Sequence, residues 1–291
     1  MNMISVLILT KNEERDLPGC LKSVAWSDDV HVLDSGSSDA TVSIARRQGA
    51  RVHVRTFDNY AAQRNAGLKL PFRHDWILIL DADERVPPSL ADEMTRFAGR
   101  APEAVAAARM RRRDLWWDRW LRHAQMTPAY VRLIRNGRAH YEREVNEILV
   151  VDGSIEDLQG YFDHYPFSKG LDHWIAKHNT YSRMEAELIS RESVPTPSWR
   201  VALFGSELGE RRLHQKAMFY RLPARPIVKF LYLMIVRRAF LDGVPGVRYA
   251  FLQMIYEYFI VLKTKELRHG REATSNRQES MPKASQADET A

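Results

Sequence analysis

The sequence predicts an α/β fold built on a mostly parallel sheet, followed by a basic, apolar helical region. Three observations support this. Four short apolar runs occur in the first 80 residues, and three helical segments alternate with them, as in sheets whose strands are joined by crossover helices. The third observation is charge: residues 195–271 hold 14 Lys and Arg against 5 Asp and Glu, a net of +9 in a chain that totals +6.

The predicted strands are almost continuously apolar, as expected for strands buried on both faces. They cover residues 4–9, 30–33, 50–54 and 76–80. A helix follows each of the first three. The second helix begins at a turn where Ser38 or Asp39 can cap it, and Gly49 ends it.

Beyond residue 101 the pattern changes. Strands are predicted at residues 105–110, 130–134 and 147–151, a helix at 172–191 and a linker at 194–197. Residues 272–291 are polar without periodicity and are expected to be disordered. The predicted domains are residues 1–170, a helical region at 171–271 and this tail.

The amino-acid composition excludes several classes of protein. Apolar residues make up 45% and charged residues 27%, which excludes a wholly disordered chain, a collagen and a polytopic membrane protein. Cys20 is the single cysteine, so an internal disulfide is excluded and a reducing compartment is favoured. The N-terminal segment lacks the features of a secretory signal, and we expect a cytoplasmic protein.

The basic region contains two apolar stretches, residues 227–236 and 249–262. Both are shorter than the roughly 18 apolar residues that a spanning helix needs. With Lys and Arg at their edges, they fit a helix pair lying in the headgroup layer of an anionic inner leaflet. The alternative is a buried helical hairpin with solvated charges. No nucleic-acid partner is predicted, because no recognition motif accompanies the basic residues.

Polar clusters follow the predicted strands at residues 10–13, 34–39, 63–67 and 81–83. In open α/β sheets, ligands bind beyond the carboxyl ends of the strands. The sharpest cluster is Asp81-Ala-Asp83, because two carboxylates at the end of a rigid strand can share Mg²⁺ or Mn²⁺, one directly and one through water. Such a cation would neutralise a diphosphate leaving group. The alternative is a solvated turn that caps the next helix.

These four clusters, in this order, resemble those of inverting glycosyltransferases of family two, which have the GT-A fold, a Rossmann-like nucleotide-sugar-binding domain. The resemblance covers about residues 1–170. The later part is similar to the bacterial β-glucosyltransferases that build the lipopolysaccharide inner core. The segments that carry this second resemblance are Arg132-Leu-Ile134, Val145-Asn-Glu147, the Asp163-His164 pair and residues 237–243.

The resemblance implies roles for individual residues. Thr10, Asn12 and Glu13 would line the nucleoside pocket, and Asp34 would accept a hydrogen bond from uracil. Arg64 would pair with the diphosphate or the nucleoside, and Asp81 would contact the nucleotide-sugar. For Asp34 and Arg64 the alternatives are a helix-capping carboxylate and a solvated arginine.

An inverting transfer needs a base for the acceptor hydroxyl. Relatives often carry His-Glu where this chain has Asn146-Glu147, so Glu147 is the candidate, with Glu144 and Asp163 as alternatives. His164 would join Asp83 as a metal ligand or contact the diphosphate, unless it is purely structural.

Three tryptophans lie among five arginines between residues 111 and 122. Indoles stack on sugars and arginines bind phosphates, so this segment is either an acceptor surface or part of the core. The tryptophans are Trp116, Trp117 and Trp120.

The function expected is metal-dependent transfer of a hexose, glucose by resemblance, from a UDP-sugar to a lipopolysaccharide core acceptor at the cytoplasmic membrane face. One alternative is a transferase of the same fold that acts on polyprenyl phosphate or a capsular or exopolysaccharide acceptor. A phosphatase that uses Asp81 as nucleophile is disfavoured by Arg85, which stands where those enzymes carry a small hydroxyl residue. A basic membrane-associated nucleotide-binding protein is the non-enzymatic alternative.

Overall fold

The computed structural model describes residues 4–142, 147–191 and 196–279. The chain divides into two compact units, with the boundary between Leu171 and Asp172. The first unit contains a mixed sheet and the second is helical. The strands of the first unit are β1 (Ile4–Thr10), β2 (Val30–Asp34), β3 (Arg51–Val54), β4 (Trp76–Asp81), β5 (Glu84–Arg85), β6 (Val105–Trp116), β7 (Arg119–Trp120), β8 (Ala129–Arg135), β9 (Ala139–Glu142), β10 (Ile148–Val151) and β11 (Ser154–His164).

The main sheet has the strand order β3-β2-β1-β4-β8-β6-β11-β5, and β7 pairs with β6. The first four strands are parallel to one another, β8 is antiparallel to both of its neighbours, and β6 is parallel to β11. A separate hairpin is formed by β9 and β10. The predicted α/β fold with a mostly parallel sheet is confirmed.

Helices cover both faces of the parallel strands, which explains their continuous apolar sequence. In β4, residues 76–80 are at most 1% exposed. Alternate residues of this strand belong to separate clusters, with Leu78 on one face and Ile79 on the other. The helices of this unit are α1 (Leu17–Ser23), α2 (Thr41–Arg47), α3 (Tyr60–Leu68) and α4 (Pro88–Ala98).

Several strands differ from the sequence prediction. The short strands β5, β7 and β9 were not predicted, and two long strands also differ. The strand predicted at residues 105–110 continues to Trp116, and β11 was not predicted at all. The sequence of β11 lacks an apolar run because most of its side chains are exposed or half-buried, with Leu158 and Phe162 as the buried ones. Strand β11 forms because it pairs with β6, and the pattern of its own side chains does not predict a strand.

The second unit contains α5 (Leu171–Ser190, whose first residue belongs to the first unit), α6 (Trp199–Phe204), α7 (Leu208–Tyr220), α8 (Arg225–Leu231) and α9 (Gly243–Glu279). A π-helical turn (Tyr232–Val236) and a 3-10 turn (Ala239–Asp242) connect α8 to α9. Among the described residues, no helix is both apolar enough and long enough to cross a bilayer.

The tail prediction needs correction. Helix α9 continues through residues 272–279, where the sequence predicted disorder. This segment contains no proline, and extending an existing helix avoids the cost of nucleation. Residues 280–291 lie outside the described residues, as do residues 194 and 195 of the predicted linker.

Candidate active site

Five strand ends meet at one edge of the sheet in the first unit. Thr10, Asp34 and Asp81 are the last residues of β1, β2 and β4. Strands β6 and β11 run in the same direction, and the register places Asp114 of β6 opposite His164 of β11. Residues from separate chain segments are therefore brought to the edge where open α/β sheets bind ligands.

Asp34 shapes the turn that follows β2. Its fully buried carboxylate accepts hydrogen bonds from the backbone N–H groups of Gly36 (2.9 Å) and Ser37 (2.7 Å), and from Thr10 Oγ1 (2.9 Å). Gly36 has a φ of 79°, which a glycine adopts without strain. The carboxylate of Asp34 thus structures the loop, and its contact with uracil stays a prediction.

Hydrogen bonds hold the segment after β1 against this turn. Asn12 Oδ1 accepts from the backbone N–H of Ser38 (2.9 Å), and the backbone N–H of Asn12 donates to Ser37 Oγ (2.8 Å). Glu13 forms an ion pair with Lys169, while Glu13 Oε2 is buried without a hydrogen-bond partner among the described residues. Burial raises the pKa of Glu13 to about 7, against the opposing charge of Lys169. Nucleoside binding by this segment stays a prediction.

Asp81 lies between two arginines. Arg132 Nη2 is 3.0 Å from Asp81 Oδ2, and Arg64 Nη2 is 3.4 Å from Asp81 Oδ1. Buried Glu84 pairs with the same Arg132 and accepts a hydrogen bond from the backbone N–H of Asp81 (3.0 Å). Arg64 also extends toward Glu147, with Nε 3.3 Å from Oε1. A single chain of ion pairs therefore links five residues from four separate segments of the sequence.

The arginines in this chain of ion pairs determine which of its carboxyl groups are ionised. Burial opposes ionisation of Asp81, but the Arg132 and Arg64 guanidiniums outweigh burial and hold the pKa of Asp81 well below its usual range. Burial also raises the pKa of Glu84, to about 7, because Arg132 offsets only part of the desolvation cost. Asp81 is therefore a carboxylate at neutral pH whose charge is already compensated by side chains.

Asp83 contacts His164, whose ring is held in place by a second carboxylate. His164 Nε2 is 3.3 Å from Asp83 Oδ2, and His164 Nδ1 is hydrogen-bonded to buried Asp114. Burial lowers the pKa of His164, but the bonds to Asp114 and Asp83 outweigh burial and raise it to about 9. Asp114 fixes the ring so that Nε2 faces the second carboxylate of the Asp-x-Asp motif, an arrangement common behind metal-binding histidines.

The chemistry of these donors fits a divalent cation. Asp83 Oδ2 and His164 Nε2 are neighbouring ligand atoms, and a carboxylate oxygen suits Mg²⁺ or Mn²⁺. Asp81 differs, because both of its oxygens face guanidiniums. In the part of the chain that the structure describes, no group of three or more His, Cys, Asp or Glu residues is arranged to hold a metal. A divalent cation would therefore be held by Asp83 and His164, and its remaining ligands would have to come from outside the protein.

The three candidate bases differ in position. Glu147 is 23% exposed and contacts Arg64. Asp163 forms an ion pair with Arg113 (2.6 Å) and, as the strand neighbour of His164, points to the opposite face of β11. Glu144 lies outside the described residues. The assignment of Glu147 as the base stays a prediction.

Comparison with known proteins decides the family. The sequence model of glycosyl transferase family 2 matches residues 5–155, more than half of the chain. The chain belongs to glycosyl transferase family 2. It is therefore an enzyme that transfers sugars, and the phosphatase and non-enzymatic alternatives are set aside.

Relatives of this family 2 enzyme align over nearly its whole length. An uncharacterised glycosyltransferase of Rickettsia typhi is 26% identical over 92% of this chain and 88% of its own. The lipopolysaccharide core biosynthesis glycosyltransferase LpsC of Rhizobium meliloti is 25% identical over 94% of this chain and 95% of its own. The resemblance to lipopolysaccharide core transferases is thereby confirmed.

A solved structure aligns over a smaller part. The glucosyl-3-phosphoglycerate synthase of Mycobacterium tuberculosis, in complex with Mg²⁺ and uridine diphosphate, has a TM-score of 0.32 and 23% identity, covering 38% of this chain and 44% of that chain. At this level of similarity, the alignment indicates neither ligand nor substrate.

The three tryptophans of this family 2 enzyme differ in which of the two predicted roles they fit, an acceptor surface or part of the core. Trp116 is buried and stacks on Phe167, with ring centroids 4.1 Å apart. Trp117 is 61% exposed at the tip of the turn between β6 and β7. Trp120 is half-buried, with the Arg122 guanidinium 5.5 Å from its ring centroid. Trp116 therefore belongs to the core, while Trp117 remains a candidate for an acceptor surface.

The sequence assigned no site role to four residues that lie here, although Arg132 belongs to a segment that carries the second resemblance. They are Glu84, Asp114, Arg132 and Lys169, each of which contacts a predicted residue; for Glu84 the contact is the hydrogen bond that it accepts from the backbone N–H of Asp81. Glu84 directly follows the Asp-x-Asp motif and could have been suspected from its position. The pairings of the other three depend on contacts between distant segments, which residue spacing does not show.

The ion pair between Glu13 and Lys169 predicts a pH-dependent loss of stability in Lys169→Met. Below about pH 4.5 Glu13 is protonated in the folded and unfolded chain, and its folded-state pKa is about 7. Removing Lys169 raises this pKa further, so at pH 8 the variant must bury a carboxylate without its counter-charge. We expect urea denaturation to show a destabilisation roughly 1–2 kcal/mol larger at pH 8 than at pH 5.

The matched control is Lys22→Met, which removes an exposed lysine of α1. Its free energy of unfolding should change equally at the two pH values. An equal loss for Lys169→Met at pH 5 and pH 8 would contradict the buried carboxylate.

Proposed function

We propose that this enzyme is a metal-dependent inverting transferase that moves a hexose, such as glucose, from a UDP-sugar to a lipopolysaccharide core acceptor at the inner face of the cytoplasmic membrane. The observation that carries the proposal is the end of β4. There, Asp81 is ionised between two arginines, while Asp83 faces a histidine that a buried carboxylate orients.

Arg64 supports binding of the diphosphate. Its side chain is 13% exposed, and Nη1 is buried without a hydrogen-bond partner among the described residues. A buried guanidinium N–H without a partner is costly unless an anion or water satisfies it. Because Nε and Nη2 already contact Glu147 and Asp81, the guanidinium is fixed, with a donor left for a phosphate oxygen.

Asp83 and His164 are the proposed metal ligands. With a divalent cation bound, these two residues would place a positive charge that could neutralise the departing diphosphate. Asp114 keeps His164 Nε2 directed at this position. His164 must release its Nε2 proton before it can bind a metal, since only the neutral ring donates a lone pair.

Glu147 is the proposed base. As an acceptor hydroxyl attacks the anomeric carbon from the side opposite the diphosphate, a carboxylate must accept its proton. Arg64 contacts both Glu147 and Asp81, so the proposed base is held in a fixed relation to the Asp-x-Asp motif. Single displacement with this base inverts the anomeric configuration.

The acceptor assignment is supported by the relative from Rhizobium meliloti, which is a lipopolysaccharide core transferase and aligns over nearly its full length. Exposed Trp117 lies three residues beyond Asp114 on the same chain segment. An indole there offers a flat apolar face for an acceptor sugar.

Membrane docking is supported by exposed apolar residues in the turns after α8 and at the start of α9, here called the apolar tip: Ile235, Val236, Phe240, Leu241 and Val244. Ile235 and Val236 are 67% and 66% exposed, and two arginines, Arg237 and Arg238, follow directly. A buried hairpin would hide such residues. Exposed apolar side chains beside arginines suit insertion into an anionic leaflet.

Asp83→Asn tests the metal site. In the wild type, we expect UDP with Mn²⁺ to raise the melting temperature by linkage, and Mn²⁺ to support release of UDP from a UDP-sugar. The variant should lose the Mn²⁺-dependent part of the shift, and turnover should fall roughly 100-fold or more. Asp92→Asn, on the exposed face of α4, is the control. Undiminished turnover in Asp83→Asn would remove Asp83 from the site.

Glu147→Gln tests the base. Gln keeps an oxygen for Arg64 but cannot accept the proton, so kcat should fall roughly 100-fold or more while the UDP–Mn²⁺ thermal shift is retained. Glu142→Gln, an exposed carboxylate on β9, is the matched control. A comparable loss of kcat in Asp163→Asn, with Glu147→Gln active, would transfer the role to Asp163.

The apolar tip is tested by flotation of the full chain with vesicles. We expect binding to phosphatidylglycerol–phosphatidylcholine vesicles and little to phosphatidylcholine alone. The double substitution Ile235→Asp with Val236→Asp should abolish flotation. The matched control is Leu203→Asp with Phe204→Asp, equally exposed on α6. Equal flotation of the two double variants would exclude the tip as the docking element.

A further inference from the structure

The second unit contains a cavity of about 620 Å³. This lies within the range of pockets that hold small ligands, roughly 300–1,000 Å³. Its wall is mostly apolar and partly open to solvent, with Ile227 56% and Tyr258 51% exposed. Further apolar wall residues are Leu222, Ile255 and Val261. Apolar side chains exposed around a concave space indicate that an apolar ligand covers them.

One polar group of the wall is a buried arginine. The side chains of Arg225 and Glu257 are 5% and 9% exposed, and Arg225 Nε lies 3.1 Å from Glu257 Oε2. Even so, neither Nε nor Nη2 of Arg225 makes a hydrogen bond within the described residues. The guanidinium also lies over Tyr220, 5.0 Å from the ring centroid. A buried cation with unfilled donors at a cavity wall is the kind of group that binds an anion.

Two more cations border the same cavity. Lys265 and Arg268 lie three residues apart on α9, so they share one side of the helix, and both are exposed. Together with Arg225 they place three positive charges at the cavity. Two carboxylates lie near them: Glu257, which pairs with Arg225, and Glu185, which pairs with Lys216 and accepts a hydrogen bond from Tyr220 of the cavity wall. The cavity therefore combines a long apolar wall with a surplus of positive charge.

We propose that this cavity binds one anionic phospholipid, with an acyl chain along the apolar wall and the phosphate at Arg225, Lys265 and Arg268. A free phosphate would leave the apolar wall exposed, and a neutral lipid would leave the surplus charge uncompensated. The inference deepens the membrane docking proposed above, but it uses residues separate from the apolar tip. It is also independent of the transfer chemistry.

The experiment measures binding of dihexanoylphosphatidylglycerol, below its micelle concentration, to the full-length enzyme by calorimetry. The wild type should bind this lipid, while dihexanoylphosphatidylcholine and inorganic phosphate should not compete. Lys265→Glu with Arg268→Glu should weaken binding about tenfold or more. Ile255→Trp, which fills the cavity without changing charge, should weaken it similarly. Retained melting transitions confirm that the variants fold.

Matched controls are Arg200→Glu with Arg212→Glu for charge and Leu203→Trp for bulk, all outside the cavity. These should bind as the wild type does. Equal weakening in the charge control, or competition by inorganic phosphate, would overturn the proposal in favour of non-specific attraction or a bare phosphate site. If the wild type binds no lipid and forms a dimer that Ile255→Trp disrupts, the cavity is instead a contact between two copies of the chain. Lipid binding without flotation would leave this proposal standing while docking by the apolar tip fails.

Discussion

The pairing of Asp81 with Arg64 and Arg132 is the interaction on which the site depends. The Arg132 and Arg64 side chains are 8% and 13% exposed, so water solvates their charges poorly and the Asp81 carboxylate compensates them. Arg64 comes from α3 and Arg132 from β8, so charge compensation ties three elements together at the sheet edge. The same Arg64 also contacts Glu147, the residue directly before β10, which places this carboxylate beside the motif.

The two carboxylates of the motif are compensated differently. Asp81 faces guanidiniums, which keep their charge at every pH that the protein meets. Asp83 faces His164, which can release a proton, and its pKa of about 9 shows how strongly Asp114 and Asp83 favour the charged ring. Only at Asp83 can the positively charged partner, the protonated ring of His164, therefore be replaced by a metal cation. This asymmetry favours Asp83 and His164, and not Asp81, as the proposed metal position.

The second unit is shaped by a different constraint. The turns between α8 and α9 leave large apolar side chains exposed, with Ile235 at 67% and Val236 at 66%. Water penalises such exposure by about 25 cal/mol for each Å², so a surface that would bury these groups is favoured. The basic residues beside the apolar tip and around the cavity favour an anionic surface over a neutral one.

The sequence by itself determined the parallel core and the edge at which the site lies. Runs such as residues 76–80 are apolar because both of their faces are buried, and parallel strands bring Asp34 and Asp81 to one edge whatever the details of packing. Tertiary structure alone decided which charges meet there. Arg132, Asp114 and Lys169 join the site through contacts between segments distant in sequence, and β11 forms because β6 offers its edge to a mostly polar segment. Such pairings depend on strand order and register, and local side-chain periodicity does not encode either of them.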